Sequence, residues 1–140
     1  MIILDTNVIS EPPRGGANSA VVRWLNLQDP AELRLTTPTV AEMAKGAEVF
    51  VIKTSSRRHH NYLEQVLEAY SGRILDFDLA ASRLFGKLVG LRQTSGRPIS
   101  VMDAMIAAIA IAHGATLATR NTRDFEGLDL KLANPFETGA

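Results

Sequence analysis

The chain contains no cysteine. This absence excludes a disulfide framework and a metal site built from thiolates, so any bound metal must take oxygen or imidazole ligands. It also fits a protein of the reducing cytoplasm. The apolar start of the chain is broken by an acid at position 5, which does not match a secretory signal, and we therefore expect a cytoplasmic protein.

Long hydrophobic runs are also lacking. The longest apolar stretch is "AMIAAIAIA" at positions 104–112. It is far shorter than the roughly 20 residues that cross a bilayer. We therefore expect a buried core helix here and no membrane partner.

Net charge is the third absence, because 15 basic and 15 acidic residues cancel. A balanced chain has no general attraction to nucleic acid. A polyanionic partner would have to be held by a local patch of charge or by a metal ion.

Short apolar segments alternate with amphipathic segments along the 140 residues. We predict strands at 2–4, 33–36, 73–78 and 116–119, and an edge strand within 130–136. Helices are predicted from Asn18 or Ser19, from Thr39 to about Lys53, through residues 63–72, after an Asp78 cap, and after a Ser100 cap. This alternation predicts one α/β domain over 1–140, a three-layer α/β/α sandwich with a mostly parallel sheet.

Acidic side chains fall at the boundaries of these predicted elements. Asp5 ends the first strand, and the segment from Asn121 to Asp124 follows the fourth. Glu42 and Asp103 lie at the starts of helices. Because the carboxyl ends of parallel strands and the amino ends of the following helices meet at one edge of the sheet, we expect these side chains to converge.

Helix capping is the alternative explanation for two of these acids. Thr39 with Glu42, and Ser100 with Asp103, both match the capping box, and for either acid alone this is the simpler interpretation. Convergence favours function instead, since several carboxylates in one pocket repel one another unless a cation is present. Oxygen ligands suit Mg²⁺, with Mn²⁺ as a second choice, and such ions can activate water for phosphodiester cleavage.

Four segments of the sequence together resemble a known family. "MIILDTNVIS", "TVAEM", "ISVMDAMIAAIA" and "LATRNTRDFEGLDLKLANPF" are similar to the PIN-domain ribonucleases, specifically the VapC toxin family and its FitB-like subgroup. The resemblance covers nearly the whole chain. It implies a PIN-like fold, a metal-dependent endoribonuclease toxin that cleaves RNA, a cognate DNA-binding antitoxin that inhibits it, and a homodimer or a larger complex with that antitoxin.

The resemblance also implies roles for single residues. Asp5, Glu42 and Asp103 match the family's three principal metal-site acids. The fourth family position, often aspartate, is Asn121 here. Asn121 can offer a carbonyl oxygen or orient a water, while Asp124 could supply the missing carboxylate and ranks slightly higher as a metal ligand. Hydrogen bonds that orient these groups are expected from Thr6, Asn7 and Thr119.

Several other features have simpler interpretations. The "RRHH" segment at 57–60 could bind RNA phosphate, but a solvated joint between helices is favoured over that role. Arg120 and Arg123 are better placed to guide RNA. His113 is expected to interact with a helix end. The apolar stripe at 79–91, together with the helical pair near 40–70, is interpreted as core, with an antitoxin groove or a homodimer contact as the alternative.

Two other functions compete with the nuclease. A phosphatase of the haloacid dehalogenase type also places an aspartate after its first strand, but it needs a second acid two residues later, where this chain has Asn7. A non-enzymatic interaction module working with a DNA-binding partner is the other alternative. It stays open because Asn121 leaves the acid set one carboxylate short.

Overall fold

The computed structural model describes residues 1–137. Five strands form one sheet in the order β3, β2, β1, β4, β5, and every neighbouring pair is parallel. The strands are β1 (Ile2–Leu4), β2 (Leu33–Thr36), β3 (Ile74–Leu75), β4 (Thr116–Ala118) and β5 (Lys131–Ala133). The predicted parallel α/β architecture is confirmed, with β5 as the predicted edge strand.

Six α-helices and two short 3-10 helices connect the strands. The α-helices are α1 (Thr6–Ile9), α2 (Ser19–Leu27), α3 (Thr37–Thr54), α4 (Arg58–Ala69), α5 (Leu79–Thr94) and α6 (Val101–Ala112). The 3-10 helices are Pro30–Glu32 and Thr122–Phe125. The sequence did not predict α1 or either 3-10 helix, because each is only about one turn long.

Side chains that alternate along the central strands divide the core into two layers. Ile3 and Leu117 are fully buried with α5 and α6 on one face of the sheet. Their chain neighbours Leu4 and Ala118 are buried on the other face with α1 to α4. This period of two is the geometry of a strand. The result is the predicted three-layer sandwich, and no helix within residues 1–137 is long and apolar enough to span a membrane.

Helix caps follow the sequence at two of the three predicted positions. Asp78 accepts from the backbone N–H of Ala81, and Ser100 accepts from that of Asp103. The prediction that Thr39 caps α3 was wrong. Thr36 is the cap and accepts from the Thr39 N–H at 3.3 Å, so that the following proline occupies the first turn, where its missing N–H costs nothing.

Two other predicted boundaries were wrong. The helix α4 begins at Arg58, so the "RRHH" segment is mostly helical rather than a joint. There the Arg58 guanidinium lies 4.9 Å from the centroid of the Phe50 ring, and His59 meets the same ring edge-on at 4.2 Å. These contacts dock α4 on α3. The third strand comprises only Ile74 and Leu75, so residues 73 and 76–78 of the predicted strand lie outside the sheet.

Candidate active site at the carboxyl edge of the sheet

Asp5 occupies the tip of the central strand β1. Its backbone N–H donates to the Ala118 carbonyl at 2.9 Å, which fixes the strand end beside β4. The carboxylate caps α1, since its Oδ1 accepts from the Thr6 N–H at 2.8 Å. Only 4% of the residue is exposed. A buried acid at this position is held in a fixed orientation by the backbone that follows it.

Thr119 and Asn7 complete the hydrogen bonding around Asp5. The Thr119 hydroxyl, which is fully buried, donates to Asp5 Oδ2 at 2.8 Å. The Asn7 amide nitrogen lies 3.4 Å from the same oxygen, and Asn7 Oδ1 accepts from the Arg120 N–H at 3.1 Å. These bonds join the segments that follow β1 and β4. The predicted contact of Thr119 and Asn7 with the acid site is present.

Thr6 connects Asp5 to Glu42. Its hydroxyl donates to Glu42 Oε1 at 2.6 Å and lies 3.1 Å from the Thr39 hydroxyl. The Thr6 hydroxyl has only one proton, and the short bond to the Glu42 carboxylate uses it. In the contact between the two threonines, the Thr39 hydroxyl is therefore the donor and the Thr6 oxygen is the acceptor. With Thr36 as the cap, Glu42 lies in the second turn of α3 and does not close a capping box. The structural explanation predicted for Glu42 is therefore wrong.

Asp103 lies in the first turn of α6, where Ser100 accepts from its backbone N–H at 3.1 Å. Half of the predicted capping box is thus present. No bond from the Ser100 N–H back to the Asp103 carboxylate occurs among the hydrogen bonds of residues 1–137. The Asp103 carboxylate is instead influenced by the Ser100 side chain, whose hydrogen bond opposes the rise in its pKa that burial causes.

The acids at this edge act on one another electrostatically. Burial raises the pKa of Asp5 to about 6, bonds from Thr119 and Thr6 oppose the rise, and the charges of Asp103 and Glu42 add to it. Burial likewise raises the pKa of Asp103, a hydrogen bond from the Ser100 side chain opposes the rise, and the charges of Asp124 and Glu42 add to it. Carboxylates whose charges raise the pKa of a neighbouring acid form a site that favours a positive charge.

The two candidates for the fourth position differ in their surroundings. Asp124, in the second 3-10 helix, is close enough to raise the pKa of Asp103 and lines a cleft with it. Asn121, which is exposed as Asp124 is, precedes that 3-10 helix without a side-chain capping bond. Its backbone contributes instead, since the Asn121 N–H donates to the Thr119 hydroxyl oxygen at 3.1 Å.

The donor set has the chemistry of a hard-metal site. It consists of carboxylate and hydroxyl oxygens, which suit Mg²⁺ or Mn²⁺. Within residues 1–137, however, no three acid or histidine side chains are close enough together to form a metal-binding group. Simultaneous binding by three of the predicted ligands therefore requires side-chain movement. The assignment of individual ligands stays a prediction.

Cavities lie on both sides of the acid edge. One, of about 500 Å³, runs between α3 and α4 and has Thr6 and Glu42 among its lining residues together with Met43, Phe50 and Tyr62. The other, of about 360 Å³, contains both Asp103 and Asp124. Glu42 therefore lines one cavity, and Asp103 and Asp124 line the other.

Arg92 was not among the residues predicted from the sequence. Arg92 is 7% exposed, and its guanidinium donates to the carbonyls of Asp124 and Glu126 at 3.0 and 2.8 Å. It thereby holds the 3-10 helix that presents Asp124. The available signal was an arginine four residues after Leu88, on the otherwise apolar inward stripe of an amphipathic helix.

The fold and the acid edge define an α/β/α protein with a carboxylate-rich site at the carboxyl ends of parallel strands. The PIN domain model matches residues 2–130. The chain therefore belongs to the PIN-domain family.

Curated relatives and solved structures span the whole chain. It is 43% identical over 138 residues to "VapC ribonuclease Y4jK" of Sinorhizobium fredii, covering 98% of this chain and 99% of that protein. It is 38% identical over 137 residues to "Toxin FitB" of Neisseria gonorrhoeae, covering 97% and 99%. A structure of FitAB bound to an IR36 DNA fragment superposes with a TM-score of 0.91 at 37% identity, covering 100% of this chain and 99% of that one.

Proposed function

We propose that this protein is the endoribonuclease toxin of a toxin-antitoxin pair and that it hydrolyses RNA phosphodiester bonds with a divalent metal, Mg²⁺ or Mn²⁺. The observation that supports this best is the placement of Asp5, Glu42 and Asp103 at a single edge of the sheet, where the charges of Glu42 and Asp103 raise the pKa of Asp5. The relative named VapC ribonuclease, 43% identical over nearly the full chain, supports the reaction class. An RNA substrate implies a cytoplasmic site of action.

The chain's own residues would hold the metal and set its orientation. When bound, a divalent cation supplies a Lewis acid that lowers the pKa of water and offsets negative charge on the phosphate. Asp5, Glu42 and Asp103 are the proposed ligands, with Asp124 as the fourth. Because Thr119 and Thr6 each donate a hydroxyl proton to one of these carboxylates, the orientations of Asp5 and Glu42 are set before substrate arrives.

The proposed partner is a cognate antitoxin that binds DNA. The FitAB structure, which contains DNA, supports such a partner. The cavity between α3 and α4 is lined by Met43, Ala47, Phe50 and Tyr62 and reaches Glu42 at one end. An apolar antitoxin helix laid in this groove would lie beside the acids. We expect a homodimer or a larger complex with the antitoxin.

RNA cleavage assays test this function directly. Wild-type protein should cut RNA with Mg²⁺ or Mn²⁺ and lose that activity in chelator, and Asp5→Asn should be inactive with an unchanged circular dichroism spectrum. Asp129→Asn, which changes an exposed aspartate, serves as the matched control. Cleavage by Asp5→Asn at the wild-type rate would refute the proposed site.

The second candidate function is an interaction module that is catalytically weak and works with a DNA-binding partner. The absence of a ready three-carboxylate group within residues 1–137 favours it, as does Asn121 at the fourth family position. Expression in bacteria separates the two functions. An active nuclease should arrest growth and Asp5→Asn should relieve the arrest, whereas an interaction module should give the same growth with either protein.

A further inference from the structure

A cleft on the α5–α6 side of the acid edge has the features of a phosphate site. Its walls are the α5–α6 connection with the start of α6, and the 3-10 helix Thr122–Phe125. Its volume of about 360 Å³ lies at the small end of the roughly 300–1,000 Å³ usual for ligand pockets. The lining residues that matter are Arg92, Arg97, Asp103, Arg123 and Asp124.

Two cationic side chains of the cleft form no ion pair with any acid among residues 1–137. Arg97 and Arg123 are both exposed, and neither takes part in a salt bridge within residues 1–137. The Arg97 guanidinium lies close to Gly127, which follows the opposite wall in the chain. A Cβ atom placed on Gly127 would be 3.9 Å from Arg97 Nη1. Two guanidinium groups are therefore available to an anion in the cleft.

Buried Arg92 holds the two walls of this cleft together. Its Nη1 donates to the Arg97 carbonyl at 3.5 Å, and its Nη2 donates to the carbonyls of Asp124 and Glu126. All three acceptors are backbone carbonyls, so the Arg92 charge is solvated but not neutralised. The spacing of the walls is set by the fold and does not depend on flexible surface contacts.

We propose that this cleft binds the backbone phosphate of the nucleotide next to the scissile phosphate of RNA, with Arg97 and Arg123 as its ligands. The inference rests on the proposed nuclease function, because Asp103 and Asp124 belong both to the cleft and to the proposed metal site. Arg97 and Arg123 therefore line the same cleft as two of the proposed metal ligands. Guanidinium groups match phosphate oxygens through paired N–H donors.

Salt-dependent RNA binding tests the proposal. A fluorescent single-stranded RNA of mixed sequence is titrated with Asp5→Asn protein, which prevents cutting during the measurement. On this background Arg97→Gln and Arg123→Gln should each weaken binding by about two- to fivefold. Each should also lower the slope of log K against log salt by about 0.7, the value for one phosphate contact on a single strand. Arg83→Gln, an exposed arginine near the start of α5, should bind as the Asp5→Asn parent does.

Cleavage by the same arginine variants with Asp5 intact should show a raised KM and an unchanged kcat. Equal affinities and salt slopes for Arg97→Gln, Arg123→Gln and their parent would overturn the phosphate site while leaving the nuclease function intact. The converse outcome is a wild-type protein that cuts no RNA while its RNA binding depends on both arginines. That result would support the phosphate site and refute the proposed nuclease function.

Discussion

Thr119 donates its hydroxyl proton to Asp5 Oδ2 over 2.8 Å, although 114 positions separate the two residues in the sequence. The same hydroxyl oxygen accepts from the Asn121 N–H. One side chain thus orients the acid that ends β1 and the backbone that follows β4. The candidate site is built from the ends of neighbouring strands, and this contact is where they meet.

Removing that hydroxyl should impair the site without disturbing the layers of the fold. For Thr119→Val we expect a loss of about 10- to 100-fold in metal affinity or RNA cleavage, the scale found when a group that orients a metal ligand is lost. Because the Thr119 bond lowers the pKa of Asp5, its loss should also move the acid limb of the pH-rate profile to higher pH. Thr119→Ser keeps the hydroxyl and should retain most activity. A Val variant with the wild-type pH profile would show that the bond does not tune Asp5.

The pH dependence of stability should report the buried charge of Asp5. Its pKa is about 6 in the folded protein against an ordinary 3.8, so between about pH 4 and pH 6 the folded state binds more protons than the unfolded state. The contribution of Asp5 to stability is therefore greatest below this window and is lost as the pH rises through it. The full effect is about 3 kcal/mol.

Urea unfolding in chelator measures this effect. The free energy of unfolding of the wild type, relative to Asp5→Asn, should fall as the pH rises from about 4 to about 7. The Asp5→Asn protein should be the more stable of the two at pH 7 without metal. Asp129→Asn, an exposed acid, should follow the wild-type curve. If wild type and Asp5→Asn keep a constant difference over this range, the raised pKa is wrong.

Helix caps could be predicted from the sequence because each depends on residues that are close together in the chain. Asp78 and Ser100 cap helices in the predicted way because capping involves residues only three positions away. The start of α3 was mispredicted because Thr36 and Thr39 are both suitable caps, and proline's tolerance in the first turn decided between them. Short-range patterns left that choice open.

Contacts between distant segments could not be predicted in the same way. The acids were expected to converge because parallel strands share an edge. The charges of Glu42 and Asp103 raise the pKa of Asp5, which agrees with that expectation. The bond from Thr6 to Glu42 spans 36 positions and depends on how α1 docks against α3. No local pattern specifies such docking, so the sequence identified the candidate residues and left their partners undefined.

Replacing Arg92 should loosen the 3-10 helix that presents Asp124. Arg92→Met keeps much of the side-chain volume but leaves the carbonyls of Asp124 and Glu126 without their donor. We expect a loss of roughly 2–4 kcal/mol in the free energy of unfolding. Arg83→Met on the exposed face of the same helix should change it by less than about 0.5 kcal/mol. Urea unfolding measures both losses. Equal losses in the two variants would contradict a stabilising role for the bonds from Arg92 to the Asp124 and Glu126 carbonyls.

The fourth metal ligand can be decided by comparing Asp124→Asn with Asn121→Ala. Both residues are exposed, but Asp124 acts on the pKa of Asp103, whereas Asn121 contributes a backbone N–H that alanine retains. We therefore expect Asp124→Asn to weaken Mg²⁺ binding by about tenfold or more, and Asn121→Ala to stay within about twofold of wild type. Calorimetric titration with Mg²⁺ and with Mn²⁺ measures both affinities. The reverse order of effects would assign the fourth position to the side-chain amide oxygen of Asn121. Asp124 would then line the phosphate cleft without binding the metal.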